Sequence, residues 1–142
     1  MKFFYKRFAN GIARPIIPIV VRSPVTQRSA SYFALVDSGA DICMFAAEIG
    51  EMIGLDVLAG TKKAVSGVVA GHKRPYYLHQ VEIEIGGWNK RTSVGFMPDL
   101  ALTGHGILGQ TGFFDLFAFV KFERLSGLIE IGDPVSLGRS IN

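Results

Sequence analysis

Short apolar runs broken by glycine, proline and small polar residues recur along the whole chain, which is the pattern of a β protein. Ile16 to Val21 is a β-branched run bracketed by Pro15 and interrupted by Pro18. It predicts a strand that the prolines confine to an edge or a strand start. Arg22 to Ala30 is polar and predicts a turn, and Ser31 to Val36 predicts a second strand leading directly into Asp37. Ala46 to Ile53 is the best helix, stopped by Gly54, although Gly50 inside it lowers helix propensity. From Lys62 to Met97 the pattern is again strand-like, with Val81, Ile83 and Ile85 alternating with Glu82 and Glu84. That period of two marks a half-buried strand. Gly86-Gly87 predicts its turn, and Thr92, Val94 and Phe96 continue the alternation on the returning strand. Gly112 to Phe117 predicts a short helical segment. Phe117 to Glu123 and Leu128 to Ile131 predict a last hairpin around Ser126-Gly127. The sum is an all-β chain with one or two short helices.

At 142 residues, with no repeat or linker, the chain reads as a single domain spanning 1–142. Hydrophobic residues make up 49% and charged residues 19%, a mix apolar enough to reserve surface for a partner chain. The formal net charge is +3, but Lys and Arg form no basic stripe, so nucleic acid is not an expected partner. No apolar stretch approaches the ~18 residues of a membrane span, so no membrane partner is expected. The positively charged start, Met1 to Pro15, has its apolar run broken by Lys6 and Arg7, too short for a signal segment. A lone cysteine, Cys43, forms no internal disulfide and points to a reducing, cytoplasmic setting. In its apolar context Cys43 reads as a buried thiol. His72, His79 and His105 lack zinc spacing, so neither a metal nor another cofactor is expected. Trp88 beside the Gly-Gly turn reads as a surface hairpin residue, and the phenylalanines between 113 and 122 as core or dimer contacts.

The sharpest feature is Ala34-Leu35-Val36-Asp37-Ser38-Gly39-Ala40-Asp41. An apolar strand delivers a carboxylate onto a tight turn of small residues. A carboxylate there is costly unless it is hydrogen-bonded or used. Taken alone, Asp37 also fits a simple turn residue ending a strand.

The segment resembles the active-site loop of the retropepsins, the single-domain aspartic proteases of retroviruses and their cellular relatives. Their pattern of two apolar residues, Asp, Thr or Ser, Gly, Ala and Asp is matched by Leu35 to Asp41. Gly106-Ile107-Leu108-Gly109 resembles the family's second signature, and Val65 to His72 falls where its flap hairpin would lie. The order and spacing of the three pieces, spanning about residues 15 to 131, carry the resemblance.

The resemblance implies a small closed β-barrel of the retropepsin type. It implies an aspartic endopeptidase, active as a homodimer, that cuts peptide or protein substrates in extended hydrophobic segments. Two carboxylates sharing one proton are needed, one as general base on a water and one to polarise the scissile carbonyl. The chain holds one such Asp motif, so a second copy must supply the other Asp37. By position, Asp37, Ser38 and Gly39 form the catalytic loop, with Ser38 bracing the dimer. Ala40, Asp41, the flap tip at Gly67, Val68, Val69 and Ala70, and Ile107 would contact substrate. The chain departs from the viral pattern at Ser38, at Ile42 in place of a second Asp, and at Gln110, where viral enzymes usually carry Arg. A domain that kept the barrel and binds peptide without turnover is the competing reading.

Overall fold

The computed structural model describes residues 1–66, 73–101 and 104–134. Its elements in chain order are β1 (Lys2–Phe4), β2 (Lys6–Arg7), β3 (Ala13–Arg14), β4 (Ile16–Arg22), β5 (Ser29–Val36), β6 (Met44–Ala46) and α1 (Ala47–Met52). There follow β7 (Thr61–Ser66), β8 (Lys73–Ile85), β9 (Trp88–Met97), β10 (Gly106–Leu108), β11 (Val120–Glu123) and β12 (Leu128–Ile131). Single 3-10 turns lie at Val57–Ala59 and Phe114–Leu116.

Seven strands form one sheet in the order β4-β5-β10-β6-β9-β8-β7, and β4 also pairs with β8. That extra pairing, Val20↔Glu84 to Arg22↔Glu82, joins six of the strands into a ring with β7 attached outside it. Ring closure removes open edges, which antiparallel sheets must otherwise protect. Pro18 sits in the half of β4 that pairs with β5 alone, opposite Phe33. A residue without an N–H is tolerated there because no second neighbour asks for one.

β8 and β9 join through Gly86-Gly87, with Ile85 opposite Trp88. Both glycines have positive φ (55° and 83°), the geometry of a two-residue hairpin turn that side chains resist. Trp88 is half-buried against Phe117, with ring centroids 4.6 Å apart. The surface position expected for it is corrected by Phe117, whose ring packs against it.

The ring encloses a core built from inward-facing residues of each strand, with Ile17, Val21, Phe45, Ile83, Phe96 and Leu108 all fully buried. Tyr32, Phe45 and Phe96 stack edge to face at 5.4 and 6.1 Å. Gly50 is a requirement of this core: a Cβ there would lie 2.9 Å from Val57 Cγ2 and 3.0 Å from the Phe96 ring. Packing therefore outweighs the helix propensity that glycine loses. Gly54, with φ of 84°, ends α1 in the left-handed conformation expected of a stop.

β1, β12 and β11 form a separate three-stranded sheet in that order. The Met1 amine also donates to the Ile131 carbonyl at 2.7 Å, tying the chain's first residue to its last described strand. Phe113 and Phe117 are buried, whereas Phe119 and Phe122 are exposed at 49% and 40%. The phenylalanine run thus divides between core and surface.

Candidate active site

Asp37 follows the last residue of β5 at the point where parallel pairing with β10 ends, Leu108 lying opposite Val36. Its amide donates to the Leu108 carbonyl at 3.0 Å, which anchors the loop to the second signature. The loop then closes on itself. Gly39 N–H donates to Asp37 Oδ1 at 2.9 Å, and Ala40 N–H donates to the Asp37 carbonyl at 3.2 Å. Asp37 is half-buried, while Ser38 and Gly39 are exposed. One carboxylate oxygen is therefore held by backbone, and the residues beside it stay open to an incoming molecule.

The segment after β10 braces this loop. Gln110 N–H donates to the Ala40 carbonyl at 2.8 Å, and Thr111 N–H to the Asp41 carbonyl at 2.9 Å. The Gln110 side chain donates through Nε2 to the Ser38 carbonyl at 2.8 Å. A neutral amide thus clamps the loop where the viral pattern has Arg. Gly109 makes the approach possible, because any Cβ there would collide with the Ile42 carbonyl and lie 2.8 Å from the Ala40 carbonyl oxygen. Among the described residues, the Ser38 hydroxyl finds no hydrogen-bond partner within the chain.

Beside the loop lies an apolar cavity of about 470 Å³. Gly39, Ala40, Asp41 and Ile107, all candidate site residues from sequence, line it. Val65, from the start of the expected flap segment, lines it too, and so do Met44, Tyr76, Met97 and Leu100, which were not singled out from sequence. Tyr76, Met97 and Leu100 come from segments remote from the loop in the chain, and alternation alone does not say which segments share a wall. β7 and β8, paired from Thr61↔Leu78 to Ser66↔Lys73, flank the segment where the flap is expected. The expected tip, Gly67, Val68, Val69 and Ala70, lies outside the described residues.

The remaining candidates have structural duties. Burial pushes the Cys43 thiol up to about 12, and its sulfur accepts the Gly109 N–H at 3.4 Å. It is a protonated packing residue at neutral pH, not a nucleophile. His79 Nε2 lies 2.8 Å from the Val57 carbonyl, and His105 Nδ1 lies 3.1 Å from the Gly106 carbonyl. Among the described residues, no three His, Cys, Asp or Glu side chains gather as metal ligands. No described helix is long and apolar enough to cross a membrane.

A family model described as aspartyl protease matches residues 24–111, a span holding both the Asp37 loop and the Gly106 to Gly109 strand. The chain belongs to the aspartyl protease family. A retropepsin-like aspartic protease from Rickettsia conorii superposes with a TM-score of 0.59 at 16% identity, covering 92% of this chain and 89% of that one. The fold is therefore that of the retropepsin-like aspartyl proteases. The EIAV protease, solved with the inhibitor HBY-793, aligns with a TM-score of 0.47 at 18% identity, over 68% of this chain and 82% of that one. No curated protein matches the sequence.

Proposed function

We propose that this aspartyl protease is an endopeptidase that works as a homodimer and cuts peptide bonds within extended hydrophobic segments. The observation that carries the reading is the Asp37 loop itself. A half-buried carboxylate is held by Gly39 N–H at the end of an apolar strand, and the next residues of its loop, Gly39, Ala40 and Asp41, line an apolar cavity. Two such carboxylates, one from each copy, would share a proton. The ionised one takes a proton from water while the protonated one polarises the substrate carbonyl.

The other described aspartates have different surroundings, which supports drawing the second acid from a partner copy. Asp99 pairs with Arg74 at 3.1 Å, and Asp115 accepts the Gly112 N–H. Ser38 faces outward with its hydroxyl free to meet the partner loop. Gly39, Ala40 and Asp41 would bind substrate main chain, and Ile107 would contact an apolar side chain. The segment Gly67 to Ala70 would cover the bound peptide, which lies extended and adds main-chain hydrogen bonds as a strand does.

Cleavage of a hydrophobic peptide, measured across chain concentration alongside molecular mass by light scattering, tests this reading. Below the dissociation constant, activity is expected to rise with the square of chain concentration, and in step with the dimer fraction. Activity strictly proportional to the concentration of a monomer would refute it.

A further inference from the structure

The geometry points to the free edge of β11 as the seam on which a second copy of this chain docks, in one register centred on Phe122. This inference rests on the homodimer reading above and names the surface that serves it.

β11 is a terminal strand of its sheet, paired with β12 on one side only among the described residues. The direction of its backbone groups follows from alternation. The Ile131 amide bonds the Met1 carbonyl and the Tyr5 amide bonds the Gly127 carbonyl, so Ile131, Ile129 and Gly127 direct their groups toward β1. Leu128 and Glu130 then face β11, where they lie opposite Glu123 and Lys121. Val120 and Phe122 are left with their N–H and C=O groups pointing away from the sheet. An open row of such groups is a template for another strand.

The sequence of that strand is its own complement. In an antiparallel pair of two copies centred on Phe122, the two Phe122 residues face each other and exchange hydrogen bonds. Lys121 of each copy then lies directly opposite Glu123 of the other, giving two cross-strand ion pairs of opposite charge. Within one copy Lys121 Nζ and Glu123 Oε1 already meet at 2.6 Å on one face, both exposed enough to exchange partners. Phe122, at 40% exposure, gains a matching ring. The opposite edge of the sheet, β1, offers no such match, since centring on Phe3 sets Lys2 against Phe4.

Position joins this edge to the active-site loop. A cavity of about 430 Å³ is lined by Phe122 and Arg124 from the hairpin and by Asp37 and Ser38 from the loop. A copy seated on β11 therefore approaches from the side on which Asp37 and the free Ser38 hydroxyl lie. The two three-stranded sheets would merge into one of six strands beneath the paired loops.

Charge exchange tests the register. K121E sets Glu against Glu twice in its homodimer, and E123K sets Lys against Lys twice. Each variant alone is expected to raise the dimer dissociation constant by about tenfold or more, since every pair counts twice. An equimolar mixture restores both attractions, so the mixed dimer should return to within a few-fold of the parent. Oxidation of F122C should in addition yield a disulfide-linked dimer. If the parent dimerises but the mixture is no tighter than the single variants and F122C does not cross-link, the β11 seam is wrong and the homodimer stands. If the parent is a monomer at every concentration, the homodimer reading falls with it.

Discussion

Replacing Asp37 with Asn is expected to lower the rate of peptide cleavage by on the order of 10⁴-fold or more, because the symmetric dimer loses its general base and its general acid together. The fold should survive. Asn keeps an oxygen at the Oδ1 position, so the Gly39 N–H retains its acceptor. The neighbouring contacts are backbone hydrogen bonds from Asp37 N to Leu108 and from Ala40 N to the Asp37 carbonyl, which the substitution leaves alone. Thermal unfolding of D37N should therefore fall within a few degrees of the parent, and dimer mass should persist. Cleavage at the parental rate by a folded D37N would remove Asp37 from the chemistry. Loss of folding would instead make it a structural turn residue.

Gly109→Ala should have the opposite signature, with stability lost first and activity following. The added methyl group would run into the Ile42 carbonyl and press on the Ala40 carbonyl, both backbone atoms that cannot swing aside. Relief requires separating β10 and its following residues from the loop, which breaks the Gln110-to-Ala40 and Thr111-to-Asp41 hydrogen bonds. Overpacking with loss of such bonds costs about 3 kcal/mol or more. In a chain of this length that is a fall in melting temperature of roughly 10 °C. Wild-type stability and activity in G109A would show that the two signatures need not touch.

The parts of this site that were legible in the sequence are the parts built by neighbours in the chain. β5 alternates buried and exposed residues up to Val36, so the strand and the turn after it could be read locally. The Gly86-Gly87 turn and the β11–β12 hairpin were legible for the same reason. What could not be read is what long-range pairing decides. The Gln110 side chain reaches a carbonyl 72 residues away in sequence, and the Met1 amine bonds a residue 130 away. No local pattern announces either contact. The cavity wall gathers Met44, Tyr76 and Met97 from separate strands, and only the order of strands around the ring brings them together. Gly50 is the reverse case: its local signal argued against a helix, and the nearby Val57 and Phe96 side chains supply the reason for it.

Retention of β1 in its own chain's sheet bears on the proposed dimer. β1 pairs with β12 of the same chain over Lys2↔Glu130 to Phe4↔Leu128. A second copy docking as proposed would meet a finished three-stranded sheet, not a strand waiting to be exchanged. That is why an edge-to-edge seam on β11 suits this chain, and why its strength should respond to the charges at 121 and 123.

The most direct measurement is the stoichiometry of a tight-binding statine-type transition-state mimic, titrated calorimetrically into the protein at a concentration high enough to form the proposed dimer. A composite site predicts one molecule bound per two chains, with binding lost in D37N. One molecule bound per chain, each chain acting alone, would contradict a site assembled from two Asp37 carboxylates.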